Sequence, residues 1–428
     1  MNQARLALLP SVTKALFTLL LLSGLTASQT LVREVSVPNL WVVDAAGSGD
    51  FSDLPAAVAT ARSGDTLLVR PGNYSGFTLS RKGLTIVGVD GLPRVLGPTT
   101  VANLPGRAAC VLRSLDFAPG SGVSDVVTLA VSDNAGAVWL EDCQVRDTSW
   151  ANPAGPSTGA LLEIRNSESV SVTRCFVGYT IPGAFSFNIA SVAALSATDS
   201  TVWAFDCTFV GGGVRRFGSL SRPGGNGATL GNTTFYASGS RFEGGQGSPA
   251  LDNTFVGGCT PAGDGGIGLE ASGAGTAPIL IACTQTGGLR GLPDGGCRGG
   301  ADGAASTGSL QVEPLPYRGL TLSAPSLEAR GTDRVLTATG APNELVWSVS
   351  SSGTDGAYVP LYFGPRLTGA QPLLVFEGTT DATGALTTTE SLPPLATLAF
   401  QRRYVQGLFF DGLGNAYLGS PTLQLVIP

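Results

Sequence analysis

Short apolar stretches of alternating character recur at a fixed interval through the middle of the chain. Cys143, Cys175 and Cys207 lie in three of these stretches and are separated by steps of 32 residues. Ser240 takes the equivalent position one step of 33 residues further on. A fixed period of this length, with one supersecondary unit in each period, is typical of a solenoid. The pattern therefore predicts a stack of similar coils.

A second apolar stretch precedes each of these positions, and Ser, Asn, Asp and Gly turns separate the two. Neither stretch shows the periodicity of an amphipathic helix, so we predict short strands. Such coils stack as a right-handed parallel β-helix, with equivalent side chains in rows down the interior. Cys143, Cys175 and Cys207 would form one such row of small buried thiols. The second stretches cover residues 127–131, 161–164, 192–195, 228–230 and 267–269.

The first 28 residues have the features of a signal peptide. Arg5 and Lys14 precede an apolar run over residues 15–22, and small residues follow up to Ser28. The run is too short to span a bilayer, for which about 20 residues are needed. There is no cysteine near the cleavage region, so we expect no lipoprotein anchor. We therefore expect an exported protein, secreted or otherwise extracytoplasmic, with no transmembrane segment.

Composition narrows the possible chemistry. The chain of 428 residues carries a net charge of −6, and loss of the signal peptide with its two cations would change it to −8. Nucleic-acid binding needs clustered positive charge, so we expect no nucleic-acid partner. The chain contains no histidine, which excludes Ser-His-Asp and Cys-His catalysis and histidine metal sites. We expect no metal and no cofactor.

Export permits disulfide bonds, but the seven cysteines cannot all pair within one chain. Cys259 and Cys297 lie in glycine-rich loops and form the predicted disulfide, whereas the thiols of the cysteine row project in parallel. Residues 263–266 and 294–296 are also rich in glycine. We interpret both segments as tight turns in which only glycine tolerates a positive φ.

Residues 41–88 contain a set of motifs in a characteristic order. Residues 41–44 (WVVD) lead into residues 47–51 (GSGDF), and a short helix follows, with Ser52 or Asp53 placed to cap it. The segment resembles the opening of pectin methylesterases, and the chain is similar to secreted bacterial proteins with the pectin-lyase-like β-helix. The resemblance implies that the helix caps the open end of the β-helix, where unpaired backbone groups would otherwise be exposed.

The catalytic motifs of that family are absent. Pectin methylesterases carry Gly-Tyr-Gln-Asp-Thr and Asp-Phe-Ile-Phe-Gly segments, and the nearest likeness, residues 178–180 (GYT), lacks the glutamine and the aspartate. We therefore predict a non-catalytic protein. The alternative is a carbohydrate-active enzyme, either a polysaccharide lyase or a divergent pectinesterase. A lyase of this kind works with Ca²⁺ held by carboxylates, and its candidate acidic face is Asp142, Asp199 and Asp206 beside Arg174. The alternative interpretation is that the same residues form a row of ion pairs on the surface of the solenoid and have no catalytic role.

One basic cluster interrupts the otherwise acidic chain. Arg215, Arg216 and Arg222 follow three consecutive glycines in a long loop. Guanidinium groups pair bidentately with carboxylates, so this loop is the candidate site for an acidic polysaccharide or cell-surface glycan. The alternative is a solvated turn between two coils.

The composition changes after Gly303, where glycine becomes less frequent and cysteine no longer occurs. Residues 314–316 (PLP) indicate a linker. About eight short strands follow with turns between them, which predicts a small antiparallel β-sandwich. The whole chain is therefore expected to be all-β, with a signal peptide over residues 1–28, a β-helix over 29–312 and a C-terminal β-sandwich over 313–428.

Overall fold

The computed structural model describes residues 38–120, 127–147, 159–179, 192–213, 221–253, 258–273, 277–322, 327–329, 333–353, 357–368, 372–391 and 402–427. Residues 38–428 belong to one compact unit. The predicted signal peptide and the predicted start of the β-helix at residue 29 lie outside the described residues.

The first part of the unit consists of short strands and one helix, α1, at Leu54–Thr60. The strands are β1 Leu40–Val43, β2 Thr66–Val69, β3 Asn73–Ser75, β4 Thr78–Ser80, β5 Thr85–Gly88, β6 Arg94–Leu96, β7 Thr99–Ala102, β8 Ala109–Arg113, β9 Asp116–Ala118, β10 Leu129–Glu141, β11 Gln144–Asp147, β12 Ala160–Thr173, β13 Phe176–Tyr179, β14 Ala193–Thr198, β15 Thr201–Phe205, β16 Thr208–Val210, β17 Ala228–Gly231, β18 Thr234–Ser238, β19 Arg241–Glu243, β20 Leu251–Asn253, β21 Gly258–Thr260, β22 Leu269–Ser272, β23 Ile279–Ile281, β24 Thr284–Thr286, β25 Ser306–Thr307 and β26 Gln311–Glu313.

These strands stack in three parallel columns, which is the architecture of a parallel β-helix. Column A contains β1, β2, β5, β8, the end of β10, the end of β12, β15, β18, β23 and β26. Column B contains β4, β7, the starts of β10 and β12, β14, β17, β22 and β25. Column C contains β3, β6, β9, β11, β13, β16, β19 and β24. Each coil runs from column B through column A to column C. The right-handedness of the β-helix stays a prediction.

The chain turns between columns at residues with a left-handed backbone. Asp142, Arg174 and Asp206 turn the chain from column A to column C, with φ of 50–55°. Asp133 and Asp199 do the same between columns B and A, with φ of 57° and 49°. Asp and Asn tolerate this region better than most residues because their short side chains bond locally to the backbone. The polar residue before each cysteine therefore marks a corner of the coil.

Helix α1 packs against the first strands of the columns. Asp53 is its N-cap, and Oδ1 accepts the backbone N–H of Leu54 at 2.8 Å. At the other end, Lys82 Nζ donates to the free carbonyl oxygens of Val58 and Ala61, at 2.5 and 2.6 Å. Leu54 and Val58 are buried against β1, β3 and β4. Its role as a cap stays a prediction.

Glycine-rich segments form a second packed element beside columns B and C. They cover residues 211–213, 222–227, 244–250, 262–268, 287–292 and 298–304, and we call them the glycine bundle. Their hydrogen bonds recur at every third residue: the N–H groups of 244, 247 and 250 donate to the carbonyls of 286, 289 and 292, and those of 262, 265 and 268 to the carbonyls of 298, 301 and 304. This three-residue repeat is that of polyproline II chains.

The bundle corrects the interpretation of residues 263–266 as a tight turn. Gly263, Gly265 and Gly266 do not have positive φ. Instead, a Cβ at Gly263 would lie 1.8 Å from the carbonyl oxygen of Arg222, and one at Gly265 would lie 2.0 Å from that of Gly288. Glycine is needed there because neighbouring backbones touch. In residues 294–296 the prediction is confirmed, since φ is 53° at Gly295 and 91° at Gly296.

The last part of the unit is a mainly antiparallel sheet with the order β33-β30-β35-β36-β27-β29-β34, with β28 paired to β36. One apolar cluster contains residues from both halves of this order, including Leu336, Val346 and Phe409. The two-layered sandwich stays a prediction. The elements are β27 Gly319–Leu322, β28 Leu327–Ala329, β29 Asp333–Thr339, β30 Leu345–Ser351, β31 Ala357–Val359, a 3-10 turn Pro360–Tyr362, β32 Gly364–Arg366, β33 Leu373–Thr379, β34 Ala385–Ser391, β35 Arg402–Phe410 and β36 Ala416–Ile427.

Candidate functional site

The cysteine row lies at the corner between columns A and C. Cys143, Cys175 and Cys207 are 1–3% exposed, and the register of β11, β13 and β16 aligns them. Each thiol donates to the carbonyl oxygen two residues earlier, at 3.2–3.3 Å. Ser240 takes the next place, where its hydroxyl donates to Ser238 and accepts the N–H of Cys207 at 3.1 Å. The side chains of Cys207 and Ser240 thus both donate and accept a hydrogen bond.

These thiols are poor nucleophiles. Burial raises the pKa of Cys143 and Cys175 well above the usual value, and it raises the pKa of Cys110 to about 12. A thiol is reactive as the thiolate, which these pKa shifts disfavour. The row is part of the hydrophobic core.

The outward face of column A is apolar and is covered by the C-terminal sheet. Trp139, Trp203 and Tyr236 are each 2% exposed. The ring of Trp139 lies 5.0 Å from that of Tyr404, and the ring of Tyr236 lies 6.0 Å from that of Tyr358, measured between centroids. The C-terminal strands thus lie along the side of the β-helix. Aromatic residues at outward positions of a solenoid strand were the sequence signal for this contact.

The candidate acidic face lies at the edge of this covered surface. Glu141, which sequence reasoning missed, is fully buried, and its carboxylate accepts Trp139 Nε1 at 2.7 Å and pairs with Arg174. Arg174 Nε also donates to Asp142 Oδ1 at 2.8 Å, and Arg113 Nη2 lies 3.3 Å from Asp142 Oδ2. Burial lowers the pKa of the Arg174 guanidinium, but Glu141 and Asp142 outweigh it and hold that pKa above its usual value.

This ion-pair cluster binds the backbone of β36. Strand β36 pairs with β35 on one side, while on the other it meets β27 at Ser420 and β28 from Leu425 onward. Between these points the N–H of Leu423 donates to Glu141 Oε2 at 3.2 Å, and its carbonyl accepts Arg113 Nη1 at 2.8 Å. The two side chains replace a neighbouring strand, so the cluster holds the C-terminal sheet in place.

Asp206 lies at the same corner one coil beyond Arg174. Burial raises its pKa to about 6, although the hydroxyls of Tyr317 and Ser420 and the charge of Arg174 oppose the shift. The next corner position is Gly239, with φ of 62°, where a Cβ would lie 2.5 Å from Asp206 Oδ1. Asp206 therefore faces the C-terminal strands and the segment that leads to them.

Asp199 does not join this group. It is exposed at the corner between columns B and A, where its Oδ1 accepts Asn232 Nδ2 at 2.6 Å. The structure thus brings Asp142 and Arg174 together, places Asp206 on the next coil and separates Asp199 from all three. Residues of the C-terminal part, among them Thr422 and Ser420, lie over the corner that carries Arg174 and Asp206. No group of three or more His, Cys, Asp or Glu side chains that could hold a metal ion occurs among the described residues.

We expect the free energy of unfolding to depend on pH through Asp206. The folded protein holds this proton more tightly than the unfolded chain does, so the contribution is present below about pH 4 and is lost as the pH rises through about 6. Its size is up to about 3 kcal/mol. Urea unfolding of Asp206→Asn between pH 4 and 7 should lack this decline. The exposed Asp199→Asn is the matched control and should follow the wild-type curve; equal pH profiles for all three proteins would contradict the assignment.

Of the three candidate arginines, the structure describes Arg222. Arg222 lies in the bundle, where its N–H donates to Ser248 Oγ at 3.0 Å and its carbonyl accepts the Ser248 N–H at 3.0 Å. Arg215 and Arg216 lie outside the described residues. Arg290 and Arg298 are exposed on other segments of the same bundle. Sequence reasoning missed these two because it did not recognise that the glycine spacing brings the loops together.

The disulfide joins Cys259 and Cys297, with Cα atoms 5.6 Å apart. Cys297 is buried in a small cluster with Ala250 and Ala262, at the ends of two bundle segments. The bond links the hairpin of β20 and β21 to the loop that precedes the last bundle segment. It therefore restrains the bundle.

Known proteins offer little guidance. Neither a scan against protein-family models nor a search of the curated proteins found a match. Among solved structures, a pectin methylesterase from carrot is 14% identical, with a TM-score of 0.34 over 66% of this chain and 89% of that one. The enzymatically active domain of tailspike protein 4 from bacteriophage CBA120 is 10% identical, with a TM-score of 0.15 over 85% of this chain and 64% of that one. At TM-scores below 0.5, neither likeness bears on function.

Proposed function

We propose that the protein is an exported, non-catalytic β-helix that binds acidic polysaccharide at a glycan-rich surface. One observation carries the non-catalytic part: the candidates Asp142 and Arg174 are paired with each other, and Arg174 also pairs with Glu141, which holds the strand β36. Glu141 and Arg113 bond to the backbone of Leu423, and Arg174 pairs with Glu141 and Asp142. Carboxylates engaged in this way lack the open coordination positions that Ca²⁺ requires.

Two further observations support export and glycan binding. A disulfide is favoured in an oxidising compartment, which agrees with the predicted signal peptide. Arg222, Arg290 and Arg298 share one bundle, where guanidinium groups suit the carboxylates of a polyanion. The side chain of Arg290 is 59% exposed, and its Nε lies 4.0 Å from the exposed Asp302. No helix in the described part of the chain is long and apolar enough to cross a membrane.

The catalytic alternative is tested by direct assay. We expect the mature protein to release no methanol from methylated pectin and to produce no ultraviolet absorbance of unsaturated uronates, with or without Ca²⁺. The absence of a histidine general base and of the esterase carboxylates is the chemical reason. Turnover that depends on Ca²⁺ would refute the non-catalytic proposal.

Binding is tested by retention on an acidic glycan column at low salt. The triple variant Arg215→Ala, Arg216→Ala, Arg222→Ala should elute with the unbound fraction, because exposed charge pairs supply the attraction and salt screens them. Arg165→Ala is the control: its side chain is 63% exposed on column B, where it pairs with Glu163. It should be retained like the wild type. Equal retention of the triple variant, or equal loss in the control, would contradict the assignment.

A further inference from the structure

The C-terminal end of the β-helix is open. One interior row of column A contains Leu67, Ile86, Leu112, Leu140, Val172, Ala204, Ala237 and Leu280, which are all 0–1% exposed, and ends at Val312. Val312 is 61% exposed. Its side chain occupies a core position with no coil stacked beyond it among the described residues.

The opposite end of the same row is closed. Its first residue, Trp41, packs edge-on against Phe51 with 5.5 Å between ring centroids, and Trp41 Nε1 donates to Asp65 at 3.1 Å. Helix α1 buries Leu54 and Val58 against the first strands. A solenoid needs a polar or covered surface at both ends to stay soluble. Among the described residues, Phe51 and α1 cover the first strands, whereas Val312 on the last strand stays exposed.

The open end also presents unpaired strand edges. Among the described strands, β24, β25 and β26 each pair with the preceding coil and with no following one. The interior position of β24 holds Gln285, whose Nε2 is buried without a hydrogen-bond partner. A surface with open backbone edges around an exposed core position is completed by another β-coil.

We propose that this end pairs with the same end of a second copy, so that the protein is a two-fold symmetric dimer. Continuity of the core argues for a β-coil as the partner. Phe51 and helix α1 lie against the first strands, which disfavours head-to-tail stacking. In a two-fold antiparallel pair centred on Val312, the two Val312 side chains meet in the shared core, and β24 of one copy lies over β25 of the other. Such an interface is isologous and closes at two copies.

Charge complementarity also favours this register. Glu313 is the only charged residue of the three terminal strands. With Val312 on the axis, Glu313 faces Gln311 of the second copy, so an amide donor meets the carboxylate and the two carboxylates do not oppose each other. Gln311 Nε2 already donates to Glu313 Oε1 within one chain, at 2.5 Å. Opposed like charges would have destabilised the pair.

The mature full-length protein should sediment as a dimer, and Val312→Lys should raise the dissociation constant at least about tenfold because it places two cations in the shared core. Its melting temperature should stay near that of the wild type at concentrations where both proteins are monomeric, since Val312 is 61% exposed in one chain. Leu413→Lys is the control: this leucine is 89% exposed in a turn before β36. It should leave the dimer intact.

A second variant tests the register. Facing residues in an antiparallel pair have Cα atoms about 4.5–5.5 Å apart, which is within disulfide range. Val312→Cys should therefore form a covalent dimer under mild oxidation. A wild-type protein that stays monomeric up to about 100 µM, a dimer that Val312→Lys leaves unchanged, assemblies larger than two copies or a failure of Val312→Cys to cross-link would each overturn the proposal.

Discussion

Replacing Glu141 by Ala is expected to lower the free energy of unfolding by about 3–5 kcal/mol, the range for breaking a buried ion pair. Glu141 is fully buried, and its removal leaves Arg113 and Arg174 partly unpaired in a covered site. It also removes the acceptor for the N–H of Leu423. Urea unfolding at pH 7 measures the change, and the fluorescence of Trp139 should report exposure of the face that the C-terminal sheet covers.

The control is an ion pair of the same composition on the surface. Glu163 pairs with Arg165, whose side chain is 63% exposed. Exposed pairs contribute about 0–1 kcal/mol, so Glu163→Ala should have a small effect. If Glu141→Ala and Glu163→Ala cost the same, the cluster under β36 does not hold the C-terminal sheet.

Cys175→Asp is expected to unfold the β-helix at room temperature. The side chain is 3% exposed and is enclosed by Cys143 and Cys207 in the same row. An unpaired charge at such a position costs several kcal/mol, which is a large part of the total stability of most proteins. Circular dichroism and proteolysis measure the loss of structure. Retention of wild-type melting would show that the position is not buried.

Cys175→Ser is the matched variant, because Ser240 already occupies the row two coils further on. The Ser240 hydroxyl donates to the carbonyl oxygen of Ser238 and accepts the N–H of Cys207 on the adjacent coil. A thiol of the row makes the same two kinds of hydrogen bond. We expect a loss of about 1 kcal/mol, comparable with one altered hydrogen bond. A loss as large as that of Cys175→Asp would mean that volume, and not charge, decides what the row accepts.

Part of the candidate site was accessible from the sequence. The 32-residue repeat predicts the alignment of equivalent residues, and this alignment brings Asp142 and Arg174 to adjacent coils, where they form an ion pair. Glu141 was not found because its role depends on the backbone of Leu423, 282 residues away. The sequence around Glu141 contains no pattern that points to Leu423, and the sequence around Leu423 contains none that points to Glu141.

The C-terminal domain shows the same limit. Strand patterns predict its antiparallel strands, and residues 314–316 suggest a linker between separate domains. The structure instead joins both parts in one compact unit, in which a single apolar cluster contains Trp203 of the β-helix and Leu425 of the C-terminal sheet. Outward aromatic residues such as Trp203 indicate that this side of the solenoid is covered, but they do not indicate which segment covers it.

By itself, the sequence determined the parallel coils and the cysteine row, because these follow from a repeat that places each residue above its equivalent. Only the tertiary structure decided the glycine bundle, the burial of Glu141 under β36 and the exposure of Val312 at the last described coil. Each of these depends on contacts between segments far apart in the chain. In the bundle, glycine serves close backbone packing, and a composition rich in glycine cannot distinguish this from a turn.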